Sequence, residues 1–275
     1  MFPYMGGKSK QAKWINSFMP KEIDTYVEVF GGAFWVYINS NISCKKAIYN
    51  DIDPMMYNLW LCIKQYDKLI EILDKMEPQN KNLFVENREY IKKLMNDGVE
   101  IEEANFDIVD KYIYWMTHSF SGDINGGMSK VNNHIGFLNR LKKQKIQDKI
   151  DKVEVYNKPY NEIIEKYDKE NTFFYIDPPY FGREHFYGFH PFTIDDHYNL
   201  SKILQNINND FILSYYETSE IKNMYPENKF KWERKEYKRS SGSVLKGKKK
   251  EIATEVLIMK HKNYQNNLIN QLFNF

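Results

Sequence analysis

Thr172-Phe173-Phe174-Tyr175-Ile176-Asp177-Pro178-Pro179-Tyr180 reads as a buried strand that stops on a carboxylate and two prolines. Five apolar or β-branched residues are too few for a helix, and the Pro-Pro pair ends any ladder because it lacks two N–H donors. In an open α/β sheet, ligands bind at the carboxyl ends of strands. Asp177, the Pro178 carbonyl and the Tyr180 ring therefore form a rigid corner with two hydrogen-bond acceptors and one stacking surface. Two acceptors side by side suit an amino group carrying two hydrogens, and the ring suits the base that bears it. The same four residues also suit a Pro-Pro loop with a helix-capping aspartate.

Similar strand-then-turn units lie on either side. Upstream, Thr25-Tyr26-Val27-Glu28-Val29-Phe30 ends at Gly31-Gly32, and residues 33–42 are expected to be a helix. Lys46-Ala47-Ile48-Tyr49-Asn50-Asp51 reads as a second strand, with Pro54 suited to the first turn of the next helix. Further strands are expected at 153–156, 210–215 and 255–259. From about 66 to 150 a helical period takes over, carried by Ile70, Leu73 and Met76, then Tyr90 and Leu94, then Ile108, Tyr112 and Trp115. Within it, residues 119–130 are Gly-, Ser- and Asn-rich and read as a long loop or hairpin. The expected architecture is an α/β domain, 1–65 and 160–275, interrupted by a mostly helical insert, 66–159.

Composition narrows the function. The chain has 275 residues, of which 42% are hydrophobic, enough for a substantial core. Two cysteines, Cys44 and Cys62, both in apolar stretches, exclude a disulfide framework and a Cys-based zinc site. The six histidines form no H-x-x-x-H or H-E-x-x-H pair, so no metal is expected. No apolar run approaches the ~20 residues of a membrane span, and the N-terminus lacks the apolar region of a secretory signal, so a soluble cytoplasmic protein is expected. G-x-S-x-G and G-x-x-x-x-G-K-[ST] are both absent, which disfavours serine hydrolases and P-loop NTPases.

Net charge is +2, from 39 basic and 37 acidic residues. That small total hides a polarity. Residues 229–262 hold 12 Lys/Arg against 4 Asp/Glu, or +8, while the rest holds 27 against 33, or −6. The run from Lys238 and Arg239 to Lys248 and Lys249 reads as a basic loop for phosphates, or as a solvated charged hairpin. Aromatic residues reach 16%, with 21 Tyr, 18 Phe and 5 Trp, and suit both a core and stacking on nucleobases.

Asp177-Pro178-Pro179-Tyr180 matches the DPPY motif of amino-group DNA methyltransferases, and nearly the whole chain resembles their Dam-like adenine-N6 class. Four further pieces fall in that family's order. Tyr4-Met5-Gly6-Gly7-Lys8 is similar to its N-terminal aromatic-x-G-G-K segment. Val27-Glu28-Val29-Phe30-Gly31-Gly32 is similar to its F-x-G-x-G cofactor loop. Asn50-Asp51-Ile52-Asp53 aligns with its acidic cofactor contact, and Glu255-Val256-Leu257-Ile258 with its last strand. The chain departs from the pattern at Phe34, where the loop's last glycine is usual. With Trp35, this ring either crowds the cofactor or forms the buried face of the first helix.

The resemblance implies a Rossmann-like, S-adenosylmethionine-dependent methyltransferase with an inserted DNA target-recognition subdomain. Its substrate would be N6 of an adenine flipped out of double-stranded DNA. Tyr4, Gly6, Gly7, Lys8, Phe30, Gly31, Gly32, Asp51 and Asp177 would hold the cofactor, while Asp177, Pro178 and Tyr180 would be catalytic. Asp51 lies 21 residues after Phe30, close to the ~20-residue offset at which such sheets place an acid for ribose hydroxyls. Phe181 and Phe186 follow Tyr180 as further stacking candidates for the flipped base, or are lid or core residues. Lys130, Arg140 and Lys142, with Lys238, Arg239, Lys248 and Lys249, would contact DNA, and a separately acting restriction endonuclease is a possible partner. Methylation of carbon-5 of cytosine is disfavoured, because neither cysteine follows a proline. Cytosine-N4 methylation, which uses the same amine chemistry, and a non-catalytic DNA-binding protein on a degenerate methyltransferase fold are the alternatives.

Overall fold

A computed structural model of the chain describes residues 6–120, 126–130, 133–143, 146–169, 171–184, 191–238 and 252–260. Its centre is a seven-stranded sheet of order β3-β2-β1-β4-β5-β7-β6. The strands are β1 (Glu22–Glu28), β2 (Ser43–Asn50), β3 (Val153–Tyr156), β4 (Thr172–Ile176), β5 (Asp210–Tyr216), β6 (Lys231–Lys238) and β7 (Ile252–Lys260). The first five are parallel, and β7 runs antiparallel to both β5 and β6. This is the Rossmann-like methyltransferase architecture expected from the sequence. The strand order reverses between β1 and β4, where Glu28 lies opposite Tyr175. A crevice forms at such a reversal, outside the carboxyl ends of the two strands.

Parallel strands covered on both faces need apolar side chains on both, as the fully buried Thr172–Ile176 shows. Neighbouring residues point to opposite faces. Tyr26, Tyr49, Phe173 and Tyr175 join one core cluster, while Val27, Ile48, Phe174 and Ile176 join the other. The second face is covered by α9 (Tyr160–Tyr167), α10 (Ile194–Asn206) and α11 (Ser219–Met224).

The first face is covered by α1 (Ala12–Asn16), α2 (Trp35–Ile38) and α3 (Pro54–Lys64), together with the insert helices α4 (Tyr66–Asp74), α5 (Lys81–Asn96), α6 (Phe106–His118), α7 (His134–Lys143) and α8 (Ile146–Ile150). The insert thus shares one continuous hydrophobic cluster with half of the sheet. The stretch 66–159 also supplies the edge strand β3, which pairs with β2. Asn80 caps α5 by accepting from the N–H groups of Asn82 and Leu83. The buried face of α5 is Phe84, Asn87, Ile91 and Met95, whereas Tyr90 is exposed and Leu94 half-buried. A polar Asn87 within the seam explains why the apolar period pointed to the neighbouring stripe. Both cysteines are buried and free, and burial pushes the Cys62 thiol up to about 12.

Two features depart from the sequence-based expectation. β6, Lys-Trp-Glu-Arg-Lys-Glu-Tyr-Lys, carries too many charges to be recognised as a strand, yet charged side chains are a usual protection of a sheet edge. The helix expected over 33–42 is only the single turn Trp35–Ile38, because Phe34 at φ 54°, ψ 28° is left-handed. Phe34 is 1% exposed. It stacks on Tyr37 at 4.7 Å between centroids and meets Tyr49 and Trp60 edge-on. The ring belongs to the core, and its packing offsets a backbone cost of roughly 1–2 kcal/mol.

Truncating Phe34 will therefore invert the usual order of alanine and glycine. Loss of a buried phenylalanine costs about 3–5 kcal/mol. Phe34→Gly recovers about 1 kcal/mol of it by relieving the left-handed strain, and Phe34→Ala recovers none. Urea unfolding should rank wild type above F34G and F34G above F34A, and a more stable F34A would contradict the left-handed assignment.

Candidate active site

The turn after β1 is held by four neighbours. Gly32 N–H donates to Asp51 Oδ2 at 2.7 Å, and the Gly32 carbonyl accepts from Tyr49 Oη and Trp60 Nε1, both at 3.0 Å. Gly31 N–H donates to the Asn50 carbonyl at 2.7 Å. A Cβ on Gly31 would lie 2.2 Å from Tyr49 Cε2, so the glycine is required by the chain's own ring. Gly32 has φ +44°, a conformation that favours glycine. Asp51 Oδ1 accepts from Asp53 N–H at 3.0 Å. The N-cap of α3 is Asp53, which accepts from Met55 N–H, so the carboxylate of Asp51 braces the turn and stands at the carboxyl end of β2. Phe30 stacks on Tyr160 and meets Phe192 edge-on, forming an aromatic wall beside the turn.

β4 brings Asp177 alongside this turn from far along the chain. Lys8 completes the site from the segment before α1, where its carbonyl accepts from the N–H groups of Gln11 and Ala12. Lys8 Nζ lies 2.8 Å from Asp177 Oδ2 and 3.7 Å from Glu255 Oε1, and it donates to the Gly6 carbonyl at 3.2 Å. It also sits 4.8 Å over the Tyr180 ring. Tyr180 Oη donates to Glu255 Oε1 at 2.9 Å, and Tyr216 meets the Tyr180 ring edge-on at 4.6 Å. The other Asp177 oxygen, Oδ1, is buried and has no hydrogen-bond partner among the described residues. Pro178 is buried beside it.

Electrostatics follow from this burial. Desolvation pushes the Asp177 carboxyl up to about 6, against the pull of Lys8 and with a further push from Glu255. Glu28, at the end of β1, is 3% exposed and accepts from Tyr26 Oη at 2.8 Å. Burial holds its carboxyl well above the usual range, and the charge of Asp177 adds to that. One ammonium thus faces two ionisable carboxyls, with a third held towards its neutral form nearby.

Some of the sequence-derived residues stand elsewhere. Tyr4, Arg239, Lys248, Lys249 and Phe186 lie outside the described residues, as does the side chain of Lys238 at the end of β6. Gly6 and Gly7 lead into Lys8, and Gly6 has φ +76°. Lys130 is exposed beside the paired base of the 119–130 loop, where Phe120 N–H donates to the Gly127 carbonyl and Ser129 N–H to the His118 carbonyl. Arg140 is half-buried on α7. Lys142 pairs with Asp74 of α4 at 2.7 Å. Part of the +8 stretch also has partners within the molecule: Arg234 pairs with Glu217 and Glu227, and Lys231 and Lys235 lie over the rings of Phe18 and Trp14. Among the described residues no group of His, Cys, Asp and Glu is placed to hold a metal ion, and no helix is long and apolar enough to cross a membrane.

The sequence reading assigned no side-chain role to Glu255, Gln11, Glu28 or the pair His197 and Glu184. A lone acid inside the apolar run of β7 was the available signal for Glu255. His197 is fully buried, with Nδ1 2.6 Å from Tyr215 Oη and Nε2 2.9 Å from Glu184 Oε1, which also accepts from Gly182 N–H at 2.8 Å. This clasp ties the loop that follows Tyr180 to β5 and α10. Phe181 belongs to it, packing on the His197 ring at 5.1 Å.

Residues 4–241 match the D12 class N6 adenine-specific DNA methyltransferase family, and the chain belongs to it. It is 23% identical over 236 residues to the Type II methyltransferase M.CviBI of Paramecium bursaria Chlorella virus NC1A, covering 81% of this chain and 84% of that one. It is 29% identical over 208 residues to the Type II methyltransferase M.MjaIII of Methanocaldococcus jannaschii, covering 64% and 67%. Modification methylase LlaI of Lactococcus lactis subsp. lactis is 25% identical over 188 residues, 64% of this chain but 29% of its own length. The chain is thus an adenine-N6 DNA methyltransferase, a class that depends on S-adenosylmethionine.

The His197 clasp has a pH signature. Burial lowers the imidazole below its ordinary 6.5, more than Glu184 raises it, so the unfolded chain binds the proton more readily. Stability is therefore lost as pH falls below about 6.5. His118 and His134 are lowered by burial too, so the contribution of His197 is read as a difference. Between about pH 7.5 and about pH 5.5, the thermal midpoint of wild type should fall further than that of His197→Gln. Parallel curves would remove His197 from the linkage.

Proposed function

We propose that Asp177, Pro178 and Tyr180 receive an adenine rotated out of duplex DNA and prepare its N6 for methylation. The carrying observation is the buried Oδ1 of Asp177, without a hydrogen-bond partner among the described residues and held beside Pro178 while Lys8 occupies Oδ2. An orphaned buried acceptor is costly unless a donor arrives to meet it. An exocyclic amine supplies two N–H groups, one for Oδ1 and one for the Pro178 carbonyl. Accepting both draws the N6 lone pair out of ring conjugation and towards a tetrahedral, nucleophilic nitrogen. A base inside a duplex cannot reach this crevice, so it must be extruded, and the Tyr180 ring is the stacking surface beside the two acceptors.

The residues at the switch point fit the cofactor. When bound, S-adenosylmethionine supplies an electrophilic methyl group on a positively charged sulfur. Asp51 braces the turn through both oxygens and would meet ribose hydroxyls at the carboxyl end of β2. Gly31 and Gly32 would bring their backbone to it, Phe30 would flank it, and Tyr4 with Gly6, Gly7 and Lys8 would close its methionine end. The excess carboxylate around Lys8 suits a cationic ligand. Phe34 is no obstacle in this reading, because its ring is directed into the core.

For DNA, the insert 66–159 is the proposed recognition subdomain. Its 119–130 loop presents Phe120, 68% exposed, beside Lys130. Arg140, Lys142, Lys238, Arg239, Lys248 and Lys249 are the proposed phosphate contacts. The Lys142–Asp74 pair is exposed and worth about 0–1 kcal/mol, little enough for a phosphate to displace it. The protein would act in the cytoplasm, where DNA is accessible, and a restriction endonuclease acting separately on the same sequence is the partner this function calls for.

Tritiated S-adenosylmethionine, unmethylated genomic DNA and nucleoside analysis test the reading. Label should appear in N6-methyladenine and fall at least about 100-fold in Asp177→Ala. Label in N4-methylcytosine would replace the substrate, and a fully active D177A would remove Asp177 from the chemistry. Because the carboxyl is pushed up to about 6, activity should decline as pH falls through that value, where Oδ1 gains a proton and ceases to be a free acceptor. A flat profile from pH 7.5 to about 5 would contradict that role.

A further inference from the structure

Glu255 lies in β7 with its backbone pinned on both sides, opposite Tyr216 of β5 and Lys235 of β6. It is 3% exposed, and the apolar residues Val256 to Met259 follow it. A carboxylate in that setting is costly unless each oxygen is satisfied. Both are. Oε1 accepts from Tyr180 Oη at 2.9 Å and lies 3.7 Å from Lys8 Nζ, and Oε2 accepts from Gln11 Nε2 at 3.2 Å. Each of these donors comes from a different element: the loop after β4, the segment before α1, and the N-cap of α1. Glu255 therefore joins three parts of the site that share no other strand.

Lys8 shows what this achieves. Its ammonium has three hydrogens and three directions to serve: the Gly6 carbonyl, Asp177 Oδ2 and Glu255. With the third direction removed, the pull of Glu255 away from Asp177 is lost, and the ammonium can swing across the Asp177 carboxylate to straddle both oxygens. Oδ1 would then be an ion-pair partner and no longer a free acceptor. The Tyr180 ring would also lose the hydroxyl anchor that fixes it under Lys8.

We propose that Glu255 is a positioning residue for methyl transfer, anchoring Tyr180 and drawing Lys8 aside so that Asp177 Oδ1 stays open to the amine. The proposal rests on the reading of Asp177 as the amine acceptor. Glu255 acts through its neighbours and touches no reacting atom. A strand residue suits this work, because a side chain on a doubly paired strand holds its geometry better than one on a loop.

Glu255→Gln, in the full chain, is the test. The amide keeps an acceptor for Tyr180 and nearly the same shape, but loses the charge that holds Lys8. Expected results are a kcat at least about tenfold lower, KM values for S-adenosylmethionine and DNA within about threefold of wild type, and an unchanged far-UV spectrum. The acid limb of the kcat profile should also move to lower pH. Among the groups facing Asp177, burial and Glu255 push its carboxyl up, while Lys8 and Tyr180 pull it down, so removing the Glu255 charge lets it ionise more readily. A purely structural role would not move that limb.

A folded E255Q with wild-type kcat and an unmoved limb overturns the proposal. Should E255Q fold poorly, Tyr180→Phe carries the test. It removes the hydroxyl that reaches Glu255 and that also pulls the Asp177 carboxyl down, and kcat should fall several-fold with the ring retained; wild-type kcat would again overturn the proposal. Asp177→Ala in the same assay separates the two readings. An inactive D177A beside a wild-type E255Q sinks the positioning role alone, and an active D177A sinks the acceptor assignment together with it.

Discussion

Parallel pairing of β1 with β4, with Glu28 opposite Tyr175, is the constraint on which the site depends. The two strands belong to opposite halves of the chain, separated by the whole insert, and each alone ends in an ordinary turn. Side by side, they place the Gly31-Gly32 turn next to Asp177 at the reversal of strand order. The register is not free to slip. A one-residue shift would move Tyr26 and Phe173 to the opposite face and exchange the contents of the two core clusters. The hydrophobic pattern of five short strands therefore positions a carboxylate without any local sequence specifying that position.

Charge is the second constraint. Asp177 and Glu255 are both carboxylates largely shielded from solvent, and Lys8 is the cation that stands between them. Burying unpaired ions costs roughly several kcal/mol each, so such a cluster is tolerable only where every oxygen has a partner or is reserved for one. Every oxygen but one is accounted for among the described residues, and that one is Asp177 Oδ1. Glu28 is the contrasting case. It is equally buried, but its neighbour is the Tyr26 hydroxyl, and its carboxyl is pushed towards the neutral form. The same side-chain chemistry is thus divided between structure and function by what surrounds it.

Most of the aromatic excess has a packing explanation. Tyr26, Phe34, Tyr37, Tyr49 and Trp60 form a linked set of stacked, tilted and edge-on rings beneath the Gly31-Gly32 turn. Two of them also hold the Gly32 carbonyl through Tyr49 Oη and Trp60 Nε1. A ring at position 34 is therefore a variation in how the turn is supported, since the left-handed backbone that glycine would adopt easily is retained. The insert helices extend the same cluster, which couples the proposed recognition subdomain to the sheet through continuous packing.

Much was legible in sequence because it is local. The strand ending at Asp177, the Gly31-Gly32 turn, Asp51 at the end of the next strand, Pro54 opening α3 and the helical insert each depend on residues that are neighbours along the chain. The order of the motifs was sufficient to indicate the family. The charged edge strand β6 and the buried seam of α5 escaped because side chains there answer to a neighbouring element and not to a repeating apolar period. Phe34 alone did not reveal whether its ring faced the cofactor loop or the core. That was settled by Tyr37, Tyr49 and Trp60 closing around it. The roles of Lys8 and Glu255 belong to the tertiary structure in the same way. Which oxygen of Asp177 is engaged and which is open depends on an ammonium from the N-terminal segment and a carboxylate from the last strand. Such contacts exist only once the sheet has brought three distant parts of the chain within hydrogen-bonding distance.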